Sequence, residues 1–114
     1  MSDSVFKQGD IIWLNFDHQA GHEQKGRRPA VILTNVDDNR LLNSRAIVCP
    51  ISSTNKGIPI QPALDARIKT QGVILCDQVR TVDLIACKAE YIEALPNDLL
   101  LASIDIVYGL IEPL

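Results

Sequence analysis

Through residue 95 the apolar residues come in short runs broken by turn formers, and only beyond that point does their spacing become helical. Gly9-Asp10 signals a turn, and Ile11 to Phe16 after it is rich in branched and aromatic side chains, which predicts a first strand. Ala30 to Thr34 and Ala46 to Ile51 read as buried strands on either side of a polar link from Asn35 to Ser44. Ile58 to Ala63 is confined to a sheet edge, if it is a strand at all, because Pro59 and Pro62 cannot donate to a ladder. Gly72 to Cys76, ending at Asp77, and Leu84 to Tyr91 complete the set. Asp17 to Arg28 has two glycines, two histidines and charges of both signs without a period, so it is expected to be a long loop closed by Pro29. Loops of that length usually carry function.

From Pro96 onward the pattern predicts one helix. Asn97 and Asp98 bring oxygens suited to its start, Pro96 suits the first turn, and Pro113 ends it. Between Leu99 and Ile111 only Ser103, Asp105 and Gly109 are left to face water, so the apolar stripe is wider than one packing face requires. The second covering surface is either another copy in a homodimer or the chain's own sheet. The links between strands are too short for helical crossovers, so the sheet is expected to be mostly antiparallel. The class is α+β, a small curled β-barrel followed by a C-terminal α-helix. With 114 residues and 46% hydrophobic content, one core and a single domain over 1–114 are expected.

Composition narrows the function. No apolar run approaches the roughly 18 residues of a membrane span, and Met1 to Gln8 lacks the character of a secretory signal, so a cytoplasmic protein is expected. Cys49, Cys76 and Cys87 are odd in number and each sits in an apolar run, which predicts buried thiols rather than a disulfide framework or a zinc site. His18 and His22 have the spacing of two helical metal ligands, but Gly21 lies between them and no third ligand is near, so no metal and no other cofactor is expected. The formal net charge of −3 has the wrong sign for coating nucleic acid through bulk electrostatics. Any such binding must be local, and the cations do bunch: Lys25, Arg27 and Arg28, then Arg40, Arg45 and Lys56.

Cutting RNA without a metal requires a base for the 2′-hydroxyl, a partner for the charge that develops on phosphate, and a proton for the leaving 5′-oxygen. The run His22-Glu23-Gln24-Lys25-Gly26-Arg27-Arg28-Pro29 holds an imidazole, a carboxylate and cations around a glycine able to turn tightly. Ser52-Ser53-Thr54 supplies hydroxyls after another strand. By composition alone these segments fit an ordinary solvated surface as well as a site.

In order and spacing, however, the chain resembles the MazF/PemK (Kid) family of ribonuclease toxins. The resemblance is carried by Gly9-Asp10-Ile11-Ile12-Trp13, by Gly21-His22-Glu23-Gln24-Lys25-Gly26-Arg27-Arg28-Pro29-Ala30, by Cys49-Pro50-Ile51-Ser52-Ser53, and by Gly72 through Asp83, which contains Cys76-Asp77-Gln78-Val79-Arg80-Thr81-Val82-Asp83. It implies a CcdB/PemK-type fold, an SH3-like barrel with a C-terminal helix, assembled as a homodimer that binds single-stranded RNA along its interface. It also implies a toxin of a type II toxin-antitoxin pair, an mRNA interferase that leaves 2′,3′-cyclic phosphate and 5′-hydroxyl ends and arrests growth. By motif position Arg28 and Ser52 take part in cleavage, Arg28 as the planar donor to phosphate oxygens and Ser52 through its hydroxyl. His22 and Glu23 are rival candidates for the base.

Asp77 matches a residue with a catalytic part in the PemK branch. That branch pairs it with an arginine two positions earlier, where this chain has Leu75, which leaves Asp77 the alternative of orienting Arg28 or Arg80. Base reading and backbone contact are expected from Gln24, Lys25, Arg27 and Ser53, and from Asn55, Lys56, Gln78 and Arg80. Aromatics are only 4% of the chain, so stacking is sparse and a short, loose cleavage motif is expected. The resemblance further implies a cognate antitoxin whose acidic disordered tail crosses the basic loop. The alternative is the non-enzymatic gyrase poison built on the same barrel by CcdB relatives, which has no use for a phosphate site.

Overall fold

The computed structural model of the chain describes residues 6–16, 26–35 and 44–114. Among these are six strands and one helix: β1 (Asp10–Asn15), β2 (Arg27–Ile32), β3 (Arg45–Ser52), β4 (Val73–Ile74), β5 (Arg80–Asp83), β6 (Glu90–Ala94) and α1 (Asn97–Ile111). A single 3-10 turn at Cys76–Gln78 separates β4 from β5. All strand pairs are antiparallel, in the order β6-β1-β2-β3, and the far side of β3 is shared by β5 along Arg45 to Val48 and by β4 at Ile51 and Ser52.

β5 and β6 belong to opposite edges of this sheet, yet only residues 84–89 join them. Four strand spacings in a flat sheet come to about 19 Å. The joining residues are folded into turns rather than extended, so the sheet has to curl to bring its edges together. The turn is built on Asp83, whose carboxylate accepts the N–H groups of Ile85 and Ala86 at 3.0 and 3.1 Å and the Ser44 hydroxyl at 3.2 Å. The Cys87 carbonyl then takes the Asn15 N–H at 2.9 Å and ties the turn to β1. A curled antiparallel half-barrel with one C-terminal helix results.

Alternation divides the core between the two faces of the sheet. Ile12, Leu14, Ala30, Ile32, Ala46 and Val48 fill the inside of the curl with Phe16, Val82 and Leu84. Ile11, Val31, Cys49, Ile51 and Ile74 face the other way and receive the helix through Leu100. A β-carbon on Gly9 would come within 3.1 Å of Leu100 Cδ2, so the helix seats directly on the backbone of the first turn. Asp10, buried beside it, accepts the Lys7 N–H at 2.7 Å, and the expected turn at Gly9-Asp10 is present. Burial pushes the Asp10 carboxyl above its ordinary value, against the lowering effect of Lys7.

Several expectations need correction. β2 begins at Arg27, so Pro29 lies inside a strand instead of closing a loop. The segment 58–63 is no strand, although Ala63 makes an isolated bridge to Val73. β4 is shorter than the run Gly72 to Cys76, because Cys76 already belongs to the 3-10 turn. Leu84 to Tyr91 is not one strand: Asp83 turns the chain, Lys88 takes a positive φ of 53°, and pairing resumes only at Glu90.

The helix ends before Pro113 as expected, but no side chain caps its start; Pro96 is the residue before the first turn, and Asp98 pairs with Arg67 instead. Ser103 does not face water. It is fully buried against the sheet, and its hydroxyl is satisfied by the Leu99 carbonyl one turn back at 2.8 Å. Leu101, Tyr108, Leu110 and Ile111 are at least half exposed, so the chain's own sheet covers only one side of the helix. Among the described residues no helix is long and apolar enough to cross a membrane.

The excursion between β3 and β4 is tied to the rest by two charged anchors. Arg67 bridges Asp65 and Asp98 with contacts of 2.8 to 3.1 Å, and its guanidinium holds both carboxyls below their ordinary range. Glu93 on β6 accepts the Lys69 and Thr70 N–H groups and the Thr70 hydroxyl. Burial opposes its ionisation, but these donors outweigh it and hold the carboxyl below its ordinary value. A carboxyl lowered on folding contributes stability above its unfolded pKa, and that contribution is lost as pH falls through the folded pKa. Glu93→Gln should therefore lower the urea midpoint at pH 7, and the gap from wild type should narrow below about pH 4.3. A gap that stays constant down to pH 3 would count against the anchor.

Candidate active site

The site is set by two backbone donors that the sequence withholds. In β2 the Ile32 carbonyl accepts the Gly9 N–H at 2.7 Å on the β1 side, while the Leu33 N–H goes to Ile47 on β3 at 2.8 Å. Alternate residues therefore address alternate neighbours, and Pro29 faces β3. It has no N–H, and the β2–β3 ladder ends at Ala30↔Pro50. Pro50 accepts the Leu75 N–H at 2.8 Å through its carbonyl, so its own missing donor faces the outer side of β3. That is the gap between Val48, where β5 stops, and Ile51, where β4 starts. The 3-10 turn carrying Asp77 and Gln78 occupies the gap.

Continued two positions past Ala30↔Pro50, the register sets Arg28 opposite Ser52 on one face, where the strands are no longer bonded to each other. Both line a cavity of about 220 Å3, with Thr54, Lys56, Gln61 and Gln78 as its other polar walls. Pro50, Ile51 and Leu75 form its apolar floor. Arg28 is half-buried with its Nε inside the wall. The Ser52 hydroxyl oxygen accepts the Thr54 N–H at 3.1 Å, which orients the hydroxyl at the start of the loop. Asp77 accepts a hydrogen bond from Gln61 Nε2 at 3.1 Å.

Gly72 fixes where this wall can stand. Its φ is +124°, and a β-carbon there would lie 2.0 Å from the Ser52 carbonyl oxygen and 3.2 Å from Ser53 Cα. Only a hydrogen fits between β4 and the Ser52 turn.

The structure thus gathers Arg28, Ser52, Lys56 and Gln78 of the expected residues and places Asp77 one hydrogen bond from the same wall. Ser53 is exposed next to it, and Asn55 turns its carbonyl oxygen to the Gly57 N–H at 2.8 Å. Arg27 points to the opposite face of β2, where it lies over the Trp13 ring at 6.0 Å and pairs with Glu90. Arg80 stands over the Phe16 ring at 5.4 Å, on β5 opposite Val48. His22, Glu23, Gln24 and Lys25 lie outside the described residues. Gln61 is the wall residue that sequence reasoning missed, because its segment was read only as a doubtful edge strand. Among the described residues no cluster of three or more His, Cys, Asp or Glu is placed to hold a metal ion.

Two cations, hydroxyls and amides around an unbonded strand end make a site for a polar anionic chain. Comparison with known proteins gives the family. Residues 7–103 match the family described as the PemK-like, MazF-like toxin of type II toxin-antitoxin systems. Endoribonuclease PemK of Escherichia coli is 34% identical over 100 residues, which cover 85% of this chain and 75% of the relative. The crystal structure of MazF from Deinococcus radiodurans superposes with a TM-score of 0.87 at 36% identity, over 97% of this chain and all of that one. A MazE-MazF complex from the same organism matches with a TM-score of 0.83 at 34% identity, over 94% of this chain and 96% of that one. The chain belongs to the MazF/PemK family of endoribonuclease toxins of type II toxin-antitoxin systems. Its likeness to these nucleases sets aside the gyrase-poison alternative.

Gly72→Ala should push the Ser52 main chain out of place. The expected result is a loss of at least about 2 kcal/mol in urea unfolding, from the strained φ and the clash together, and a fall in RNA cleavage of more than tenfold. Retention of both stability and cleavage would show that the close approach constrains nothing.

Proposed function

We propose that the chain cleaves single-stranded RNA by metal-independent transesterification at a short motif. What carries this reading is that Arg28 and Ser52, distant in sequence, face each other across the splayed end of β2 and β3 in one cavity. The 2′-oxygen loses its proton to a base and attacks the adjacent phosphorus, the bond to the 5′-oxygen breaks, and that oxygen takes a proton from Arg28 or water, leaving a 2′,3′-cyclic phosphate and a 5′-hydroxyl end. Arg28 binds the phosphate oxygens as charge gathers on them, and the Ser52 hydroxyl adds a further donor. Lys56 draws the backbone into the cavity. His22 or Glu23 takes the 2′-hydroxyl proton.

Gln78 reads a base edge from the wall, and Asn55, Ser53, Gln24 and Lys25 add further contacts to the RNA. Arg27 and Arg80, stacked on Trp13 and Phe16, bind RNA outside the cavity. The exposed apolar side of α1 supports a homodimer, since a second copy is the self-complementary cover for it. The MazE-MazF complexes support an antitoxin partner, whose acidic tail would meet the same cations as RNA. The protein acts in the cytoplasm, where messages are.

The decisive experiment is digestion of a long single-stranded RNA by purified protein in EDTA, beside Arg28→Ala, with the fragment ends mapped. Wild type should cut at a recurring motif to leave 5′-hydroxyl ends, and Arg28→Ala should be slower by at least about a hundredfold. Cleavage that needs added metal, or an Arg28→Ala rate equal to wild type, would remove this mechanism.

A further inference from the structure

Gln61 is held from both sides. Its N–H closes a turn on the Ile58 carbonyl at 2.9 Å, and the carbonyl of the next residue, Pro62, takes the Ile74 N–H of β4 at 2.9 Å. The backbone is thus docked against the sheet while the side chain lines the cavity that holds Arg28 and Ser52. Its Nε2 donates to Asp77 Oδ1 at 3.1 Å, across the gap opened by Pro50. Donation to a carboxylate settles which end of the amide is nitrogen, since an amide oxygen there would meet another acceptor.

The pair that results is rich in acceptors. The ionised Asp77 has only acceptors, and Gln61 keeps its carbonyl oxygen and one N–H. A base edge that meets this pair must bring an N–H donor. Adenine, cytosine and guanine carry an exocyclic amino group whose two hydrogens can serve both the Asp77 carboxylate and the Gln61 carbonyl oxygen, whereas the single ring N–H of uracil can serve only one of these acceptors. We propose that the Gln61–Asp77 pair is a specificity determinant of the ribonuclease, accepting the amino group of a base beside the scissile phosphate and disfavouring uracil at that position. The proposal rests on the cleavage reading above, with Gln61 holding Asp77 in the reading position.

The test maps 5′ ends after limited digestion of a randomised single-stranded RNA by the full chain, comparing wild type, Gln61→Ala and Gln61→Asn. Gln61→Asn keeps a polar amide in the turn but is too short to reach Asp77. Both variants are expected to keep cutting, and the preference against uracil at one position of the motif should fall by about tenfold or more, with the other positions unchanged. A simple loss of packing would slow all sites alike and leave the motif intact. Variants that cut slowly but keep the wild-type motif at every position overturn the proposal, as do variants that relax every position equally. A wild type that cuts no RNA would bring down the cleavage reading itself, a result distinct from an unchanged motif in active variants.

Discussion

Two prolines that lack backbone donors determine where this small barrel opens. Pro29 withholds an N–H from the β2–β3 ladder and Pro50 withholds one from the outer side of β3, and both omissions fall at the same end of the sheet. An unpaired donor or acceptor inside a sheet would be costly, but a residue with no donor allows the ladder to stop without leaving one buried. The strands are free to part, a 3-10 turn enters the gap, and the cavity forms between them. Everything attributed to the site depends on this local end of pairing.

The register that brings Arg28 to Ser52 is protected by the core rather than by the site. A slip of β3 by one residue against β2 would turn Cys49 from the helix side to the inside of the curl and send Val48 the other way. Both are inaccessible to water, so the slip would repack both clusters at once. Gly72 adds a second check, because its approach to the Ser52 carbonyl leaves no room for the wall to shift toward β4. The polar residues of the cavity are half-buried or exposed and contribute little packing of their own. Their positions are inherited from residues that do no chemistry.

The parts of the fold that were legible in the sequence are those where burial enforces a pattern. β1, the body of β2, β3 and the helix all present branched or leucine-rich runs of the right period. β5 was not legible because it has one buried residue, Val82, among three polar ones, and is a strand only through its partner β3. The run Leu84 to Cys87 misleads for the opposite reason: it is apolar, yet Asp83 supplies the acceptors that make a turn cheaper than a ladder. Ser103 misleads because a polar side chain on a helix can be satisfied by its own backbone and then buried. At the site, Arg28, Ser52 and Gln78 were legible through their motifs and Lys56 as one of the bunched cations, whereas the Gln61–Asp77 contact spans sixteen residues and has no periodic signature.

An acidic protein that handles RNA must also solve a problem of charge. Fourteen acidic residues outweigh eleven basic ones, so the chain as a whole does not attract phosphate. At physiological ionic strength a field from the far side is screened within about 8 Å, so the cations within the cavity act nearly alone on whatever enters it. Away from the cavity, carboxylates neutralise other cations locally, Glu90 beside Arg27 and the Asp65–Asp98 pair around Arg67. Arg28 and Lys56 line the cavity, and Asp77 beside it is engaged by Gln61. Such a surface gives little non-specific adhesion, so residence on RNA depends on fitted contacts at the open strand end, and a short motif can govern cleavage. The same arrangement exposes the protein to competition from any acidic segment that presents carboxylates to these two cations, because such a segment meets the donors that hold the RNA phosphates.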